Sequence, residues 1–89
     1  MDMRKLVGRN IVRLRREKGF TQERFAEVSG MTQQYISDLE RGRRNPTVVT
    51  LFHLASALGV SHVALVVPDD EFETPSESAT GRKPTRGKA

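Results

Sequence analysis

The side chains best suited to recognition chemistry lie between positions 32 and 44. Gln33 and Gln34 are adjacent carboxamides, each able to donate and accept a hydrogen bond side by side. Arg41, Arg43 and Arg44 follow as fixed positive charges. Catalytic chemistry finds much less. His53 and His62 are nine positions apart and have no third ligand at usable spacing, so no metal site is read. Glu23, Glu27 and Asp38 fall on short helical segments with no pocket that would make them acid–base groups. There is no Gly-rich phosphate loop and no nucleophile–base pair, and cysteine is absent, which removes disulfides and thiolate chemistry. No constellation meets the geometric needs of a catalytic site. The chain is read as no enzyme, with no cofactor, no metal and no small-molecule ligand.

Short helices must position the carboxamides. Met3, Val7, Ile11 and Leu14 recur on one helical face, and Gly19 closes that first helix. Phe20 can fold back on the apolar side. Thr21 caps a second helix that takes apolar contacts from Phe25, Ala26 and Val28 and ends at Ser29-Gly30. Thr32 caps a third, over about 32–40, with Ile36 and Leu39 turned inward and Gly42 as its stop. Pro46 cannot extend it. Thr47 caps a fourth helix with Leu51, Leu54, Ala55 and Leu58 on one face, and Gly59 stops it. Ser61 is read as the cap of a short fifth helix carrying Val63, Leu65 and Val66.

Two helices joined by a tight Gly turn are the local signature of a helix-turn-helix. Ala26 is small where the two helices cross, Gly30 needs a positive φ, and Ile36 packs the second helix onto the core.

Composition sets the frame. The 89 residues are 36% hydrophobic, enough for one small core. Residues 1–67 hold 11 Lys/Arg against 6 Asp/Glu, whereas 68–89 hold 4 against 5, so the basic charge belongs to the first part. A basic small domain suits an anionic partner. No apolar run approaches the roughly 18 residues of a membrane span, and no signal-peptide core follows Met1. A cytoplasmic location is expected. Beyond Pro68, Phe72 is the one large apolar side chain among acidic, then basic, residues. The expected domains are therefore 1–67, folded, and 68–89, a charged tail read as disordered.

The run Thr21-Gln22-Glu23-Arg24-Phe25-Ala26 through Thr32-Gln33-Gln34-Tyr35-Ile36-Ser37-Asp38-Leu39-Glu40-Arg41-Gly42 resembles the Cro/phage-repressor (XRE-type) helix-turn-helix family. The likeness continues through Arg44-Asn45-Pro46-Thr47 and Leu58-Gly59-Val60-Ser61, covering roughly residues 6–66. It implies an all-α, five-helix, lambda-repressor-like domain whose third helix enters the DNA major groove. By that resemblance Thr32, Gln33, Gln34, Ser37 and Asp38 meet base edges. Gln22, Tyr35, Arg41, Arg43 and Arg44 meet backbone phosphate. A carboxamide matches adenine N6 and N7, and phosphate contacts fix register. Arg15 and Glu40 match a structural salt bridge, which joins Ala26, Gly30 and Ile36 as framework. Ser29 stands where the family is often apolar. Asp38 puts a carboxylate toward the reading surface, suited to cytosine N4 or to repelling misplaced phosphate.

The resemblance implies double-stranded DNA as partner, a homodimer and a transcription regulator, repressor or autoregulator. Val49, Phe52, Ala64, Val66 and Val67 form the candidate dimer patch, with the alternative that they only complete the core. An antitoxin-type module that represses its own operon and binds a protein partner is the second functional reading, motivated by the acidic block at 69–77.

Overall fold

Hydroxyl side chains start three of the four α-helices. The Arg24 N–H donates to Thr21 Oγ1 at 3.0 Å, the Tyr35 N–H to Thr32 Oγ1 at 3.1 Å, and the Thr50 N–H to Thr47 Oγ1 at 3.0 Å. Each satisfies one of the amide groups that a helix N-terminus leaves without a partner. The first helix uses a carboxylate: Asp2 Oδ1 accepts from the Arg4 N–H at 3.1 Å and the Lys5 N–H at 3.4 Å. Desolvation raises the Asp2 pKa, but these bonds and the neighbouring cations outweigh it, and the carboxyl lies below its usual range.

The structure is a computed structural model and describes residues 2–68. In chain order the elements are α1 (Met3–Glu17), α2 (Gln22–Ser29), α3 (Gln33–Glu40), α4 (Val48–Leu58) and a 3-10 turn (His62–Leu65). The expected all-α class is borne out, with one correction. The segment after Ser61 is not a fifth α-helix. Its four residues close only i→i+3 bonds, Ala64 N–H to Ser61 O and Val66 N–H to Val63 O, each 3.0 Å. So short a segment favours 3-10 geometry. The expectation for the tail falls on residues 69–89, outside the described residues.

The core takes Val7, Ile11 and Leu14 from α1, Phe25 and Ala26 from α2, Ile36 and Leu39 from α3, Leu54, Ala55 and Leu58 from α4, and Leu65 from the turn. Leu6 is also fully buried. Burying a residue such as Phe25 or Leu54 contributes about 1.5–3 kcal/mol. Phe20 does fold back, stacking on Phe25 with ring centroids 6.4 Å apart. Two expected core residues differ. Met3 precedes the packed part of α1 and is half exposed, and Val28 lies on the solvent side of α2.

Two residues of α1 fix its neighbours on opposite sides, since positions two apart on an α-helix point about 200° apart. Gly8 meets the end of α3, where its missing Cβ lets the Leu39 and Glu40 carbonyls approach. Asn10 is buried, and its Nδ2 donates to Leu65 O at 2.9 Å and Val67 O at 3.0 Å. Those two bonds hold the 3-10 turn against α1. Among the described residues, no helix is long and apolar enough to cross a membrane.

Candidate nucleic-acid interface

The turn between α2 and α3 sets the angle at which α3 is presented. Gly30 has φ +74°, in the left-handed region. Its N–H reaches Glu27 O at 3.2 Å, and the Met31 N–H reaches Ala26 O at 3.0 Å. This pair of bonds closes the helix and turns Met31 toward the core. Ala26 is buried at the crossing and Ile36 fully so, as framework residues should be. Ser29 is tolerated because its hydroxyl donates to Ala26 O at 3.2 Å.

The far end of α3 is held by Glu40. Arg15 Nε donates to Glu40 Oε2 at 2.6 Å, and Arg15 Nη2 to Oε1 at 3.2 Å. Arg15 Nη1 also reaches Phe20 O at 2.9 Å. Both side chains are largely buried, at 11% and 6% exposed, so the pair is screened little by solvent. Gln22 Nε2 donates to Glu40 Oε1 at 2.8 Å. One carboxylate therefore joins the end of α1, the start of α2 and the end of α3. The second N–H of Gln22 remains for an outside acceptor.

With Ile36 and Leu39 buried, α3 turns Gln33 and Gln34 to solvent, and Thr32 stands exposed at its cap. Ser37 and Asp38 are partly exposed one turn further along. Asp38 is engaged within the protein. Gln34 Nε2 donates to its Oδ1 at 3.0 Å, and Arg44 Nε lies 3.5 Å from its Oδ2. The Arg44 guanidinium also sits over the Tyr35 ring, 5.3 Å from the centroid, a cation–π distance. Arg41 and Arg43 are exposed at the end of α3 and in the loop that follows. The Arg43 backbone N–H bonds Asp38 O at 2.9 Å, which fixes the loop to the helix.

The structure thus brings Gln33, Gln34, Asp38, Tyr35, Arg41, Arg43 and Arg44 onto one helix and its outgoing loop. The coupling of Gln34 to Asp38 escaped the sequence reading, although their i,i+4 spacing was a signal for it. Arg4 and Asn45 line one shallow depression beside the loop. No i,i+4 rule links them, because α1 and the loop are distant in sequence. The remaining candidates gather no chemistry. His53 packs edge-on to Phe52 with centroids 5.8 Å apart. Among the described residues, no group of three or more His, Cys, Asp or Glu could hold a metal ion.

A family model described as Helix-turn-helix matches residues 11–65. The uncharacterized HTH-type transcriptional regulator y4dJ of Sinorhizobium fredii is 72% identical over 71 residues, which span 80% of this chain and 92% of that protein. The immunity repressor protein of Bacillus phage phi105 is 40% identical over 60 residues, covering 67% of this chain but 42% of the repressor. The crystal structure of the hypothetical transcription factor NHTF from Neisseria superposes with a TM-score of 0.75 at 34% identity, covering 79% of this chain and 80% of that one. The shared family is one of regulators and not of enzymes. With its Gly-turned helix pair and buried Arg15–Glu40 brace, the chain belongs to the XRE-type helix-turn-helix family of DNA-binding transcriptional regulators.

Proposed function

We propose that this protein is a cytoplasmic repressor or autoregulator that reads an operator as a homodimer, by laying α3 in the major groove. The observation that carries the reading is the division of labour on α3: Ile36 and Leu39 are buried while Gln33 and Gln34 stand exposed. A helix held on one side and furnished with carboxamides on the other fits a groove wide enough for one helix. Thr32, Gln33, Gln34 and Ser37 meet base edges, and Asp38 acts at the same surface. Gln22, Tyr35, Arg41, Arg43 and Arg44 meet phosphate and set the register. The name of the phage relative supports a repressing role.

Dimerisation rests on a second observation. Val48, Val49, Phe52 and Val63 are exposed on α4 and the 3-10 turn, at 80%, 63%, 55% and 52%. Of the expected patch, Ala64 and Val66 pack against the core, whereas these exposed apolar side chains favour burial against a second copy. Two copies would place their reading helices about 34 Å apart, one turn of DNA.

Selection from a random duplex library tests the reading, with the winners measured again across a salt series. Enrichment of an inverted repeat with half-sites about one helical turn apart is the expected result. Binding that enriches nothing and collapses as salt rises would reduce the interaction to phosphate attraction alone.

A further inference from the structure

Asp38 is an unusual neighbour for a surface that approaches phosphate, and its contacts suggest a use for it. Its Oδ1 takes a hydrogen bond from Gln34 Nε2, and its Oδ2 faces Arg44 Nε. Its side chain is only 17% exposed, although the residue lies on the outer half of α3. An ionised carboxylate can only accept. The side of the Gln34 carboxamide that faces Asp38 must therefore be its NH2 group, whichever way a free amide would turn. One of the two Gln34 donors is then consumed. What remains for an outside partner is one N–H and the Oε1 acceptor.

The bases differ in what they ask of such a group. Adenine offers an N6 donor and the N7 acceptor, so it takes one acceptor and one donor from the protein. Guanine offers O6 and N7, two acceptors, and takes two donors. An unrestrained glutamine can satisfy guanine by donating twice from its NH2. Tethered to Asp38, it has one donor left.

We infer that Asp38 is a positioning residue that sets base preference: by occupying one donor of Gln34 it biases that carboxamide toward adenine and against guanine. The inference rests on the operator-reading role proposed above. Asp38 acts through Gln34 and need not touch a base itself. Arg44 holds the carboxylate in place from the other side and is in turn held over Tyr35.

The test uses the full chain and the duplex recovered by selection, with each base pair exchanged between A·T and G·C. The position read by Gln34 is the one whose preference vanishes in Gln34→Ala. There the wild type prefers adenine by about tenfold or more, within the range of a good bidentate contact. Asp38→Ala brings the two duplexes to within about threefold of each other, because the freed amide can serve both bases. In a Gln34→Ala background, Asp38→Ala changes the ratio at that pair no further. Asp38→Asn gives an intermediate ratio, since its own amide can face Gln34 either way round. Circular dichroism of each variant checks that the helix content is retained.

An Asp38→Ala protein that keeps the full adenine preference overturns the inference and leaves the operator-reading role standing. So does an Asp38→Ala effect that persists undiminished without Gln34, since Asp38 would then act by another route. A selection in which no position depends on Gln34 also overturns the inference alone. A wild type that enriches no sequence overturns both.

Discussion

Gly8 and Glu40 meet so closely that a Cβ built on Gly8 would stand 2.8 Å from the Glu40 carbonyl oxygen, and 2.6 Å from that of Leu39. Both are backbone atoms at the end of α3, which can withdraw only if the helix moves. Two effects oppose each other in Gly8→Ala. Alanine gains about 0.5–1 kcal/mol in an ordinary helix interior. Overpacking at a close contact costs about 1–3 kcal/mol. The contact should win, lowering stability by about 1–2 kcal/mol in urea unfolding. A gain would show that α1 and α3 can separate at little cost.

Glu40 accepts from Arg15 and Gln22 together, and the Arg15 side chain is 11% exposed. Glu40→Ala leaves that guanidinium buried with only Phe20 O as partner. A loss of about 3 kcal/mol is expected, as for other broken buried pairs. Removing Arg15 as well, in Arg15→Met/Glu40→Ala, should recover part of it. Equal stability of the single and double variants in denaturant titrations would argue against a desolvated charge as the cause.

Asn10 should matter through its two donated bonds. Asn10→Ala leaves Leu65 O and Val67 O without that partner, at a cost of about 1–3 kcal/mol. Asn10→Asp should be worse at neutral pH, because a carboxylate faces two carbonyl oxygens and cannot donate. Its folded-state pKa would be raised, so the folded protein binds the proton more tightly than the unfolded chain. The deficit relative to wild type should therefore shrink as pH falls, which thermal melts over a pH series would record. A deficit that grows toward acid would contradict the proposed contact.

The two classes of DNA contact should separate in binding assays. Gln33→Ala weakens the selected operator by about 1–3 kcal/mol more than random duplex, if its carboxamide reads a base. Arg43→Ala weakens both alike and lowers the salt slope by about one unit. Equal losses on both duplexes for Gln33→Ala, or an unchanged slope for Arg43→Ala, would remove the residue from its class.

Phe52 is 55% exposed on α4. If α4 carries the proposed dimer contact, Phe52→Glu should shift sedimentation from dimer to monomer and weaken a full palindrome far more than a single half-site. A dimer that persists would move the interface away from α4.

Much of this was legible beforehand, for identifiable reasons. Thr21, Thr32 and Thr47 announced three helix starts because a hydroxyl cap is a local device. Ile36 and Leu39 were read as buried from spacing alone, and Arg15 with Glu40 from the family pattern. Gly8 and Asn10 were not read, because a search for apolar periodicity passes over a small or polar residue that is buried for its contacts with distant backbone. Asp2 was overlooked as a cap beside the more apolar Met3, which proves half exposed. The short last helix was legible from its Ser61 cap but its type was not, since four residues carry too little pattern to separate an α-helix from a 3-10 turn. Asp38 was assigned outward from its place on α3, and spacing alone did not show that Gln34 and Arg44 both turn toward it.

The split on α3 also bears on engineering. Ile36 and Leu39 anchor the helix, Thr32 caps its start, Glu40 locks its end, and Gln33 stays outside the packing. On the proposed operator-reading role, the outward positions form an exchangeable cassette: a new set of side chains could be installed there to address another operator without redesigning the scaffold. Gln34 and Asp38 would have to be exchanged together, as a single letter of that cassette.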